Sequence, residues 1–142
     1  MKNKRLINIL IPVMFFLMVQ TSIAGPKNDT GQITGTMIDK ASGNPVTDVL
    51  LVLWGCSDWD PDTQKYTMTA IMVNDKFPYS VGCDEKGVFS FIGLPDGGYL
   101  IQQQIRGMSM GNPIMFKGSP CIEVKKGGTR NIGIVMVTRE NK

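Results

Sequence analysis

Asp84-Glu85-Lys86-Gly87-Val88-Phe89-Ser90-Phe91-Ile92-Gly93-Leu94-Pro95-Asp96-Gly97-Gly98-Tyr99-Leu100-Ile101-Gln102-Gln103-Gln104-Ile105 is the stretch that decides the fold. Val88 to Ile92 and Tyr99 to Ile105 are short, β-branched and aromatic runs. Turn residues bound them: Asp84 to Gly87 on one side, and Leu94 to Gly98 between them. Two strands around a tight turn therefore sit at the centre of the sequence.

The same grammar extends outward. Gln32 to Asp39 alternates, with Ile33, Gly35 and Met37 on one face. A turn by composition follows at Ala41-Ser42-Gly43-Asn44-Pro45, and then a strand from Val46 to Trp54. Its continuous Val49-Leu50-Leu51-Val52-Leu53 run predicts cover on both faces. Ser57 to Asp62 reads as a polar stretch, Tyr66 to Val73 as a further strand, and Tyr79 to Cys83 as a short one after the Asn74-Asp75-Lys76 turn. Gly107 to Gly118 is a glycine- and methionine-rich loop. Cys121 to Val124 and Asn131 to Val137 read as strands paired through the Lys125 to Gly128 turn. No window longer than about ten residues has helical periodicity, so the chain is predicted all-β.

Three pieces in this order resemble the carboxypeptidase regulatory-like domain family. They are Gln32–Asp39 with Ser42-Gly43-Asn44-Pro45-Val46, the Asp84-Glu85-Lys86-Gly87-Val88-Phe89 element, and Leu94-Pro95-Asp96-Gly97-Gly98-Tyr99. The resemblance spans about residues 31–137 and implies a transthyretin-like (prealbumin-like), seven-stranded Greek-key β-sandwich that serves as an accessory, adhesive or ligand-binding module. Two departures stand out. Ser57 to Val81 is longer than the family pattern needs. Gln102, Gln103 and Gln104 stand where relatives with self-forming Lys–Asn isopeptide bonds carry a carboxylate, so no such crosslink is expected.

The N-terminus has the three parts of a secretory signal. Lys2, Lys4 and Arg5 precede an apolar run from Leu6 to Val19, and Ser22-Ile23-Ala24 offers small residues for cleavage after Ala24. The expected organisation is a signal peptide (1–24), a flexible segment (25–30), the sandwich domain (31–138) and a polar tail (139–142), located in the periplasm or secreted, with no membrane span after cleavage. The chain's 142 residues include 15 basic and 12 acidic ones, and the three cations of the leader account for the whole excess. A mature chain of zero net charge lacks the basic footprint of a nucleic-acid binder.

The chain contains no histidine. That excludes Ser-His-Asp and Cys-His catalysis and histidine-bound zinc. No catalytic residue, cofactor or metal ligand is assigned. Of the three cysteines, Cys56 and Cys83 bracket the long insertion, and their disulfide is expected ahead of pairings with Cys121. It would close a loop of about 26 residues and contribute roughly 3 kcal/mol.

Asp58, Asp60 and Asp62 alternate as in an EF-hand. Yet Pro61 fills the fourth loop position, Thr63 replaces the glycine, and Thr69 replaces the closing glutamate. A looser Ca²⁺ loop stays open as an alternative, as does a Cu(I) carrier using Met108, Met110 and Met115. Trp59 among these aspartates either covers an edge of the core or is exposed to stack on a sugar or anchor a protein. Asp58, Trp59, Asp60 and Asp62 are thus the candidate contact loop, with a protein or carbohydrate as partner. A second reading is a structural subunit that assembles through an exposed strand edge.

Overall fold

A computed structural model describes residues 29–104 and 110–139. The expected signal peptide, residues 25–28 of the flexible segment, Met108, and residues 140–142 of the tail lie outside the described residues. Nine strands and no helix occur among the described residues. They are β1 (Gly31–Asp39), β2 (Leu50–Asp60), β3 (Lys65–Thr69), β4 (Tyr79–Gly82), β5 (Val88–Leu94), β6 (Gly97–Gln104), β7 (Met110–Pro113), β8 (Ile122–Val124) and β9 (Thr129–Val137).

They form two sheets. One has the order β5-β1-β9, and the other runs β3-β2-β6-β7, with β4 also on β2 and β8 also on β6. The protein is an all-β sandwich. Its strands number nine rather than the expected seven because the long insertion supplies β3 and the glycine–methionine loop contains β7. The first and last strands, β1 and β9, lie side by side in parallel. Parallel neighbours need a long connection, and here the rest of the domain provides it.

Alternation in β1 explains the core. Ile33 and Met37 are fully buried on the face that also carries Gly35. They meet Phe89 and Phe91 of β5 and, from the other sheet, Leu51, Leu53, Tyr79, Tyr99 and Ile101. Phe91 packs edge-on against Tyr79 (centroids 5.3 Å, 87°) and near Phe89 (6.3 Å, 68°), the geometry that aromatic quadrupoles favour. Gly35 is required here, because a Cβ would come within 2.7 Å of the Phe89 ring and 2.9 Å of Ile132. Leu51 and Leu53 face this core while Val52 and Cys56 are buried on the opposite face of β2. Leu51 to Leu53 are thus covered on both sides, whereas Leu50 is 41% exposed.

The motifs carrying the family resemblance act as turn chemistry. The Asp84 carboxylate accepts the N–H of Lys86 (2.9 Å) and of Val88 (2.8 Å), while Gly87 takes φ +77°. The Tyr99 hydroxyl donates to the Pro95 carbonyl at 2.6 Å, closing the β5–β6 connection.

Three expectations are corrected. β2 does not stop at Trp54 but runs to Asp60, because β3 pairs with its far half (Gly55↔Thr69, Cys56↔Met68, Ser57↔Thr67) and satisfies the backbone of a polar stretch. Cys121–Val124 and Asn131–Val137 are not hairpin partners. β8 adds to β6, whereas β9 adds to β1, so the Lys125–Gly128 turn carries the chain between sheets.

The disulfide joins Cys56 to Cys121, with Cα atoms 5.4 Å apart, and Cys83 is free. The register gives the reason. Gly82 lies opposite Leu50, so Cys83 sits beyond the start of β2, while Cys56 is six positions further along it. At roughly 3.3 Å per residue that is about 20 Å, far outside the 4–7 Å reach of a disulfide.

Candidate functional site

The candidate loop is the end of β2 and its hairpin turn into β3. Ser57 opposes Thr67 and Asp60 opposes Lys65, so β2 carries one residue more than β3. Asp58 takes φ 56° at this bulge. A bulge shifts the faces of the residues beyond it. In this way Trp59 is aimed beside Tyr66, with ring centroids 5.8 Å apart at 47°. Both rings are partly buried. Trp59 is thus half-buried against Tyr66 and is not one of the side chains packed on the main core.

The three aspartates have separate roles. Asp60 accepts from the Asp62 N–H (2.9 Å), the Thr63 N–H (3.4 Å) and the Thr63 hydroxyl (2.6 Å). The Thr63 hydroxyl, followed by those two amides, holds the Asp60 carboxyl below its ordinary range. This carboxylate builds the turn and has little capacity left for a ligand. Asp58 accepts from the Ser57 hydroxyl at 3.2 Å, and Asp58 and Asp62 are exposed. Among the described residues no three carboxylate, thiol or imidazole groups converge as a metal site.

Facing the hairpin is the segment from β7 to Cys121. Phe116 and Ser119 exchange backbone hydrogen bonds (2.8 and 3.0 Å) around Lys117 (φ 51°) and Gly118 (φ 77°), a tight turn of the type that needs two left-handed residues. The Ser119 hydroxyl then accepts the Cys121 N–H at 3.1 Å. Between this segment and the hairpin runs an open groove of about 470 Å³, whose apolar lining includes Trp59, Pro61, Tyr66, Pro113, Met115 and Pro120. Gln64 and Asn112 supply its amides. A second depression, of about 640 Å³, shares Gln64 and Tyr66 and is edged by Asp58, Asp60 and Lys65.

The Cys56–Cys121 bond ties the two walls together. Cys56 is three residues before Trp59, and Cys121 directly follows Pro120. Of the candidate residues, Trp59 lines the apolar groove, Asp58 and Asp60 edge the polar one, and Asp62 lies outside both. Tyr66, Gln64 and Pro120 were not legible as site residues, and Met115 was singled out only as a possible Cu(I) ligand, not as a partner of Trp59. Hairpin register would have found Tyr66, but nothing local links Trp59 to residues some fifty positions away. Cys83 is partly buried, and burial, helped by Asp84, pushes its thiol up to about 11. It is neutral near pH 7 and remote from this groove.

No family model matches the chain, and no curated protein sequence matches it significantly. Solved structures do resemble it. The Bacillus anthracis TIE protein aligns at 18% identity and TM-score 0.48, over 78% of this chain and 17% of that one. BcpA, the major pilin subunit of Bacillus cereus, aligns at 21% identity and TM-score 0.47, over 78% and 30%. GBS52, the minor pilin of Streptococcus agalactiae, aligns at 16% identity and TM-score 0.46, over 80% and 47%. The chain thus spans less than half the length of these proteins.

Proposed function

We propose that this protein is an exported, non-catalytic β-sandwich module that binds a protein or carbohydrate partner through the Trp59–Tyr66 groove. One observation carries the reading: a half-buried aromatic pair lines a groove whose two walls are covalently joined by Cys56–Cys121. Large rings on rigid, pre-ordered walls bind with little ordering cost. Gln64 and Asn112 add hydrogen-bonding groups that suit hydroxyls or a peptide backbone. The absence of histidine removes the common nucleophile-activating base. The apolar leader at residues 1–24 and the disulfide both fit an oxidising compartment outside the cytosol. Among the described residues no helix is long and apolar enough to cross a membrane.

The test is binding of the purified protein to a glycan array and to an array of extended peptides. Trp59→Ala and Tyr66→Ala should each abolish the signal, and Met72→Ala, at a 68% exposed position off the groove, should preserve it. Silence on both arrays, or binding indifferent to both ring deletions, removes this reading. Export is checked separately by N-terminal sequencing, which should begin at Gly25.

A further inference from the structure

We infer that the protein pairs with a second copy of itself through the free edge of β9. Among the described residues, β9 is an outer strand of its sheet, bonded to β1 alone. From Asn131 to Thr138 it carries no charged residue and no proline, whereas strand edges are normally blunted by one or the other. Ile134 and Met136 project from the sheet's outer face and are 69% and 57% exposed. Thr36 and Ile38 of β1 lie opposite them in register, so the apolar surface continues onto the next strand.

The direction of the main chain selects the partner register. The Val137 carbonyl accepts the Lys40 N–H at 2.8 Å, so Val137 faces β1. By the two-residue alternation of a strand, Val135 faces β1 too, and the N–H and C=O groups of Ile134 and Met136 point away from it. An antiparallel copy completes both sets when the two-fold axis passes between the two Val135 residues. Ile134 of each copy then exchanges hydrogen bonds with Met136 of the other. Their side chains form one four-membered apolar cluster, and no charge opposes a like charge between residues 132 and 138. The bulge marked by Gly133 (φ +75°) limits the paired segment to its C-terminal half.

The other edge of the same sheet is capped at Ile92. On β5, the Tyr79 hydroxyl accepts the Ile92 N–H (3.1 Å) and donates to the Ile92 carbonyl (3.0 Å), and Asn74 Nδ2 reaches that carbonyl at 3.5 Å. The two-fold contact uses the β9 edge of both copies, so self-pairing closes as an isologous dimer instead of a fibre. So short an edge gives a reversible dimer, with a dissociation constant of the order of micromolar.

Sedimentation velocity of the purified protein between about 1 and 500 μM should show a monomer–dimer equilibrium of this strength. Ile134→Lys should raise the dissociation constant at least about tenfold by placing cations beside the axis. Ile92→Lys, at a 57% exposed position on the capped edge, should leave it unchanged. Near-UV circular dichroism verifies that both variants are folded. In a Cys83→Ser background, a mixture of Ile134→Cys and Met136→Cys proteins should crosslink with a short bismaleimide more than either alone. A monomer at every concentration, assembly beyond the dimer, a dimer indifferent to Ile134→Lys, or equal crosslinking of the single variants each overturns the proposal.

Discussion

Removing the Cys56–Cys121 disulfide should destabilise the domain by about 4 kcal/mol. The bond spans 65 residues of sequence. Closing a loop of that length lowers the entropy of the unfolded chain by about 14 cal/mol/K, which is roughly 4 kcal/mol at 25 °C. The cost falls on a domain whose total stability is of the order of 5–15 kcal/mol. The Cys56→Ala/Cys121→Ala double variant should therefore melt roughly 15–25 °C lower than the parent. Cys56 is 6% exposed, so deleting its sulfur adds a small packing loss to the same sign. Chemical denaturation in urea, with and without reductant, gives the comparison. The parent should fall towards the double variant when reduced, and the variant should ignore reductant. Cys83→Ser should stay within about 1 kcal/mol of the parent, because a free thiol closes no loop. A double-variant loss below about 1 kcal/mol would refute the reasoning. So would an equal loss in Cys83→Ser, which would mean that Cys83 is in the bond.

Phe91→Ala should cost about 3–5 kcal/mol in the same assay, since its ring is fully buried between Tyr79 and Phe89; a cost under about 1.5 kcal/mol would contradict the packing. Asp39 and Asp60 both titrate below their ordinary 3.8, chiefly because the Ser42 and Thr63 hydroxyls, respectively, bond their carboxylates. Depressed carboxylates stabilise the fold above the unfolded value and lose that contribution as pH falls through the folded one. Stability should therefore drop on acidification below about pH 4, and Asp60→Asn should make that part of the curve shallower. Cys83, raised to about 11, should alkylate with iodoacetamide at pH 8 one to two orders of magnitude more slowly than a peptide thiol; a rate equal to that of the free peptide would show the thiol to be unburied.

Much of the sandwich is written locally. The period-two pattern of β1 places Ile33, Gly35 and Met37 on one face, and that face is the core. The Asn74-Asp75 turn signal is also met, with both residues at positive φ (51° and 59°). The site is harder to read. Trp59 is conspicuous in the sequence, but its orientation follows from a bulge at Asp58 that exists only once β3 is paired. Sequence proximity to the insertion favoured Cys83 as the partner of Cys56, and strand register made that pair unreachable.

By itself, the sequence determined what depends on residue type and short-range period. These are the all-β class, the buried face of β1, the two-sided cover of Leu51 to Leu53 in β2, and the exclusion of histidine chemistry. Tertiary structure decided what depends on which strands meet. It set the Cys56–Cys121 bond, the separation of β8 and β9 into different sheets, the groove between Trp59 and Met115, and the open edge of β9. The physical reason is that propensity and alternation act within a few residues, whereas strand pairing joins positions far apart in the chain through main-chain groups that every residue shares.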